Sequence, residues 1–183
     1  MSSTHDPYLP ELYFPNRWPR RILEAALPHG VEFTILTRSV LAVQDFDLYA
    51  KHRGQIMLMS SIPSLDSEFV RITEPRAPPP VARFSMLKKA KELGVEVGVV
   101  VAPIIVRPGW REDLERLFEA LAELQPAVVY GESLHIRGLN LARLRAFGIE
   151  VKVGPAVDRE VGMLFEELLR RHGLRGAYWY EYG

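Results

Sequence analysis

The run Val95-Glu96-Val97-Gly98-Val99-Val100-Val101-Ala102-Pro103-Ile104-Ile105 constrains this chain more than any other stretch. Its β-branched residues favour extended backbone. From Val97 to Val101 it is apolar on both faces, which fits a parallel strand covered by helices on two sides. The apolar stretch around Val97 to Val106 is too short to span a membrane and contains Pro103. Helical and strand patterns alternate around it. A helix beginning near Pro19 turns Ile22, Leu23 and Ala26 inward and ends at Pro28 and Gly30. Phe33–Thr37 reads as a strand, and Asp45 is placed to cap a short helix with Phe46, Tyr49 and Ala50 inward. A second strand follows at Ile56–Ser60, then a helix from about Pro80 to Gly94 carrying Val81, Phe84, Leu87 and Ala90. After the Val-rich strand come a helix with Leu114, Leu117, Phe118, Leu121 and Leu124, and a strand at Ala127–Tyr130. The remainder predicts a short helix over 141–147, a strand over 149–153, a helix over 158–172 and an aromatic end from Tyr178 to Tyr182. The alternation argues an α/β fold with a parallel sheet, open or part-barrel, and the expected form is a partial TIM-like (β/α) barrel whose parallel strands begin at about Phe33, Ile56, Val97 and Ala127.

Composition narrows the function classes. With 183 residues, 48% of them hydrophobic, the chain can bury a core as one domain spanning 1–183. Its 23 basic and 23 acidic residues cancel, so charge supplies no case for nucleic acid or an anionic membrane. The N-terminal residues carry neither the basic region nor the apolar core of a signal peptide, and a soluble cytoplasmic protein is expected. There is no cysteine, hence no disulfide, no thiolate metal ligand and no cysteine nucleophile in this chain. Arg outnumbers Lys, proline is frequent and Asn and Gln are scarce, a pattern expected of a thermophilic source.

In such sheets the chemistry gathers at the carboxyl ends of the strands. Thr37 and Arg38 end the first predicted strand, Ser60 and Ser61 the second, Ala102 and Pro103 the third, and Glu132 the fourth. With Asp6, Tyr8, Arg83 and Arg137 they are expected to share one rim. Each has a structural alternative. Asp6-Pro7-Tyr8 suits a turn whose carboxylate caps backbone amides, and Ser60 and Ser61 suit strand-end caps. Glu74 and Arg76 suit an ion pair bracing a proline-rigid segment, Arg83 a solvated surface cation, and Asn140 a helix cap. The five histidines show no paired spacing, and no metal site is expected; His5, Asp6 and His135 are the nearest approach to a ligand set. No phosphate loop and no GxSxG elbow is present. Trp18, beside Arg17, Arg20 and Arg21, is expected to be buried at a helix start, and the aromatic end to pack on a sheet or in an interface.

Several stretches, in order, resemble radical S-adenosylmethionine proteins of the spore photoproduct lyase type, often labelled DNA repair photolyases. Asp6-Pro7-Tyr8-Leu9-Pro10-Glu11 is similar to that family's DPYQPIE turn, and Arg20-Arg21-Ile22-Leu23-Glu24 to its RRILE helix. Ile35-Leu36-Thr37-Arg38-Ser39 is similar to its ILTKS strand end. Glu74-Pro75-Arg76 with the following prolines and Arg83 resembles its second half, and Gly131-Glu132-Ser133-Leu134-His135-Ile136-Arg137-Gly138-Leu139-Asn140 a GEPLNxRGxN segment. The likeness runs from about residue 3 to 147, leaving 148–183 as a strand–helix–strand extension. It implies a barrel fragment starting at the end of the family's second strand, without the CxxxCxxC motif that holds the iron–sulfur cluster. It also implies that Ser60, Ser61, Arg83, Pro103 and Thr37 meet S-adenosylmethionine, bound weakly without the cluster. Asp6, Tyr8, Glu11, Glu74, Arg76, Glu132, Arg137 and Asn140 would then line the substrate pocket.

Three function classes follow. The chain is the non-cluster subunit of a split radical enzyme, with a cluster-bearing partner chain; or a degenerate nucleotide-binding or regulatory module; or an iron-independent barrel enzyme using acid–base residues such as Asp6, Glu11 and Glu132. A sheet lacking its first strands leaves an unpaired edge, which a cluster-bearing partner chain, a second copy, or local coverage by the N-terminal segment or the Tyr178–Tyr182 end could meet. A partner chain or a homo-oligomer is expected, with that edge or the aromatic end in the interface.

Overall fold

The structure is a computed structural model and describes residues 5–180. Strands β1 (Phe33–Leu36), β2 (Ile56–Ser61), β3 (Glu96–Ile104), β4 (Val128–Ser133) and β5 (Gly176–Tyr178) form one parallel sheet in sequence order. Helices α1 (Pro10–Asn16), α2 (Trp18–Ala26), α3 (Phe46–Lys51), α4 (Ser67–Thr73), α5 (Pro80–Glu92), α6 (Trp110–Leu124), α7 (Asn140–Ala146) and α8 (Pro155–Arg171) alternate with them. Strand order that never reverses is the order of a (β/α) barrel rather than of a doubly wound sheet. The four expected strands are present, and β3 is buried along nearly all its length, as a two-faced apolar strand must be.

The chain divides into two compact units: residues 1–61 with 77–98, and 62–76 with 99–183, β3 carrying the chain from one to the other. In the first unit β1 and β2 pair from Phe33↔Ile56 to Leu36↔Met59. Ile35 and Leu58 are buried between them, and Leu23, Leu87 and Ala90 are buried in the helices. The inward stripe of α5 is Arg83, Met86, Leu87 and Ala90, at helical spacing. This corrects the sequence reading at its first position: Val81 is 66% exposed and Arg83 fully buried. Two residues turn a helix by about 200°, so these two side chains cannot share a face. Arg83 is therefore not a solvated surface cation. Trp18 and Ile22 are likewise exposed, since the inward residues of α2 are Pro19 and Leu23. The Arg21 guanidinium lies over the Trp18 ring, 4.9 Å from its centroid.

In the second unit β4 and β5 pair with Tyr130 opposite Ala177 and Gly131 opposite Tyr178. Val129, Gly131 and Ser133 point to the α8 side, where Phe165 is buried, and Phe118 of α6 meets Phe165 edge-on at 5.1 Å. A Cβ at Gly131 would fall on the Phe165 ring, so only glycine permits this contact. The expected α6 residues Leu114, Leu117, Phe118, Leu121 and Leu124 are all buried. The strand expected over 149–153 does not form. Its alternation is real, but Ile149, Val151 and Val153 pack on a satellite cluster of Phe69, Val70, Ile105, Leu134 and Leu144, and only Lys152 bridges Val106, antiparallel. Nor does Pro103 interrupt β3, which runs on to Ile104. The aromatic end begins as the last residue of β5, Tyr178, which covers the β4 edge, and Trp179 and Tyr180 follow the strand; its expected last member, Tyr182, and residue 3 lie outside the described residues.

Candidate functional site

At the carboxyl ends of β1 and β2 the first unit gathers most of the expected polar residues. Asp6 sits in the proline turn before α1, and its Oδ1 accepts hydrogen bonds from Tyr8 N (2.9 Å) and Thr37 Oγ1 (2.6 Å). Its Oδ2 accepts from Arg38 N at 2.7 Å. Thr37 Oγ1 accepts from Ser39 N at 2.9 Å, and Ser60 Oγ donates to Thr37 O at 2.7 Å. One carboxylate thus ties the N-terminal turn to the end of β1, and one hydroxyl ties β1 to β2. On the next element, Arg83 donates from Nε to Pro78 O (2.7 Å) and from Nη1 to Ser61 O (2.8 Å). A buried guanidinium bridging two carbonyls fixes the start of α5 against the end of β2.

What these side chains already touch decides whether they fit S-adenosylmethionine. Thr37, Ser60, Ser61 and Arg83 are all buried; the bonds just described turn the side chains of Thr37, Ser60 and Arg83 toward the fold's own carbonyls and toward Asp6, and Ser61 takes part through its backbone carbonyl. A ribose or a carboxylate meets no open face among them. As arranged, they hold the strand ends and do not fit the nucleotide directly.

Behind this rim lies a buried polar cluster that the sequence reading missed. Asp45 is fully buried and accepts from Tyr8 OH (2.9 Å), Tyr13 OH (2.9 Å) and Arg20 Nη1 (3.4 Å). Tyr8 OH also meets Tyr49 OH. Asp45 was expected to cap α3, but no cap hydrogen bond forms there, because its carboxylate is engaged by the three donors. Burial, then the neighbouring Tyr49 and Asp45, pushes the Tyr8 phenol far above its ordinary value, and burial does the same to Tyr49. Arg20 also forks onto Asp47 at 2.8 and 2.9 Å and holds that carboxyl down to about 2. The available signal was chemical: tyrosines on inward helical faces need hydroxyl partners, and Asp45 stands one helical turn before Tyr49.

The second unit carries the other candidates. Glu132 lies on β4 on the face opposite α8, half-buried, together with Tyr130. On the α8 side, Asp158 Oδ1 accepts from Ser133 Oγ (2.7 Å) and Tyr178 OH (2.6 Å). Burial, helped by Asp158, pushes the Tyr178 phenol well up. Asn140 closes the loop after β4: its Oδ1 accepts from Arg137 N (3.2 Å) and Leu141 N (2.7 Å), and its Nδ2 donates to His135 O (2.7 Å). Arg137 itself is exposed. Arg107 joins Asp66 (3.2 Å) and Asp113 (3.1 Å), and Asp113 also accepts from Ser64 Oγ at 2.7 Å. Glu74 is half-buried just past α4, Pro103 half-buried in β3, and Arg76 and Glu11 are exposed. Asp6, Tyr8, Thr37 and Ser60 are therefore brought into one network, with Ser61 and Arg83 linked to each other in the same unit. Glu132, Arg137 and Asn140 belong to the other unit, as do Glu74, Arg76 and Pro103. Among the described residues no group of three His, Asp or Glu side chains could hold a metal ion, and no helix is long and apolar enough to cross a membrane.

Comparison with solved structures places this architecture. Spore photoproduct lyase in complex with dinucleoside spore photoproduct superimposes with a TM-score of 0.70 over 91% of this chain and 56% of its own, at 15% identity. The fold is shared with spore photoproduct lyase. A point mutant of that lyase gives 0.74 over 97% of this chain and 58% of its own. SuiB of Streptococcus suis, bound to S-adenosylmethionine, gives 0.67 over 87% of this chain and 36% of its own, at 16% identity. At these identities the likeness concerns the fold alone. The uncharacterized protein ORF301 of Acidianus two-tailed virus is 50% identical over 186 residues, covering 99% of this chain and 61% of that protein. The chain thus spans under two thirds of the length of the proteins it matches. No family model matches it.

Proposed function

We propose that this chain is the cysteine-free portion of a radical S-adenosylmethionine-type barrel, completed by a cluster-bearing polypeptide and not competent for radical chemistry by itself. The observation that carries the reading is β1. It is an edge strand of a sequentially ordered barrel sheet, with Thr34 and Leu36 exposed, in a fold that matches somewhat over half of a spore photoproduct lyase. Clusters of that kind are held by cysteine thiolates, and this chain has none. In this reading the Asp6–Thr37–Ser60 network and the Arg83 bridge position the strand ends that the completed barrel uses, and S-adenosylmethionine is held mainly by the partner.

A second reading, a binding or regulatory module without chemistry, is favoured by the same buried network, which is complete within the first unit. An acid–base enzyme is less supported, because both oxygens of Asp6 are engaged by the fold and Glu11 is exposed on α1. The test is co-expression with a short CxxxCxxC-bearing polypeptide encoded beside this chain, anaerobic reconstitution, and assay for 5′-deoxyadenosine. The pair is expected to co-purify and to form it, while the chain alone binds S-adenosylmethionine at millimolar levels or not at all. Failure of the two to associate, or tight binding by the chain alone, would overturn the split reading.

A further inference from the structure

Just past the last strand the chain presents a tryptophan that the fold holds out to solvent. Tyr178 and Tyr180, on either side of Trp179, are both anchored. Tyr178 is buried with its hydroxyl on Asp158 at 2.6 Å. The Tyr180 ring occupies the place where Gly162 would otherwise carry a Cβ, and its hydroxyl reaches Glu166 at 3.1 Å. Trp179 points the other way and stacks on Tyr130, with centroids 4.9 Å apart and planes 18° from parallel, yet it remains 49% exposed. Since Gly131 pairs with Tyr178 and Trp179 N donates to Gly131 O at 2.8 Å, the next rung sets Glu132 beside Trp179 on the same face. In-register neighbours of a parallel pair stand about 4.8 Å apart, so a group lying on the free indole face is within reach of the Glu132 carboxylate.

We propose that Trp179, Tyr130 and Glu132 form a binding site for a planar cation of the guanidinium class, an arginine side chain presented by a polypeptide. The chemistry selects it. The indole face attracts cations through its quadrupole, and a guanidinium can lie flat on it while turning two parallel N–H donors to a carboxylate. A lysine ammonium has neither the plane nor the paired donors. A neutral base stacks equally well, but a nucleic acid brings phosphates that a carboxylate repels, and this chain has no net positive charge to offset them. The anchored tyrosines mean that the indole is placed before any ligand arrives, which lowers the ordering cost of binding.

The test uses the isolated chain, so it is independent of any cluster-bearing partner. N-acetyl-arginine amide is titrated while the indole N–H resonance of Trp179, assigned with Trp179→Phe, is followed by NMR. A saturable shift at millimolar concentration is expected. Glu132→Gln should weaken it about fivefold, in line with one charge-assisted contact from a half-buried carboxylate, and Trp179→Leu should abolish it. The matching lysine amide should bind more weakly. Gly162→Ala, which displaces Tyr180 and leaves Glu132 untouched, should also weaken it. Amide exchange at Ala177–Trp179 reports whether each variant keeps β5 paired. No saturable shift, or guanosine binding more tightly than the arginine amide with no effect of Glu132→Gln, would overturn the proposal.

Discussion

Arg83 and Asp45 are both fully buried charged residues, and the fold meets each with several hydrogen-bond partners rather than one. That is the condition under which a buried charge persists at all. The tyrosines around Asp45 make the cluster testable by pH. Burial raises the phenols of Tyr8, Tyr49 and Tyr178 above their ordinary value of 10.0. Raised folded values mean that the folded protein keeps these protons while the unfolded chain releases them. Their contribution to stability is therefore intact below pH 10 and is lost as pH rises, at up to about 1.4 kcal/mol per unit for each group. In an alkaline titration followed at 295 nm, at least these three of the seven tyrosines should ionise only together with loss of the folded far-ultraviolet signal. Tyr8→Phe should remove one from the delayed class and cost about 1 kcal/mol. Seven tyrosines titrating near pH 10 with the fold intact would contradict the cluster. Sequence spacing found Asp6, Thr37 and Ser60 because strand ends are where such residues collect. It missed the cluster because partnership across 32 and 37 residues, Asp45 with Tyr13 and Tyr8, leaves no periodic trace.

The elements were legible to the extent that they are set by local pattern. The four strand starts fell within a residue of those observed, since β-branched runs bounded by glycine and proline carry their own signal. The face of α5 was not legible, because a buried arginine breaks the rule that apolar side chains mark the inside. The 149–153 segment was misread for the opposite reason: its alternation is that of a strand, but the surface it covers is the small cluster around Leu134 and Leu144. The aromatic end was expected to pack on a sheet or in an interface; its first residue, Tyr178, joins the sheet as the end of β5, and glycine decides how. Gly176 lies where any Cβ would fall on the carbonyl of Val129, so β5 can approach β4 only with glycine at that position. Gly176→Ala should therefore detach β5 rather than shift it, costing about 1–3 kcal/mol. Limited trypsinolysis checks this directly, because the Arg175–Gly176 bond should be cut readily in the variant and slowly in the parent chain. Equal cutting rates would show that β5 is not held by this pairing.

At the scale of the whole molecule the question is what meets β1. Phe33 N and Thr37 N donate to Gln55 O and Met59 O of the β2 side, so alternation turns the N–H of Leu36 to the open edge. Leu36 is 38% exposed there. The same unit also exposes Leu12, Phe14, Trp18 and Ile22 along α1 and α2. Among the described residues no strand lies beyond β1 in the sheet; a terminal strand is usually protected with charge, proline or a covering element, and β1 reads Phe-Thr-Ile-Leu and carries none of the first two. The proposal of a completing polypeptide, or failing that a second copy of this chain, predicts association through this strand. Light scattering on the purified chain at tens of micromolar should give a mass above the 20.9 kDa of one copy, or a monomer that becomes a complex when the cluster-bearing polypeptide is added. Leu36→Lys places a charge on the edge strand, and the lysine stem can keep the covered part of the site while its ammonium reaches water, so it should reduce association tenfold or more with only a small loss of thermal stability. A chain that stays monomeric alone and with the candidate partner, and whose behaviour Leu36→Lys does not alter, would be a self-contained binding module, and the split-enzyme reading would fall.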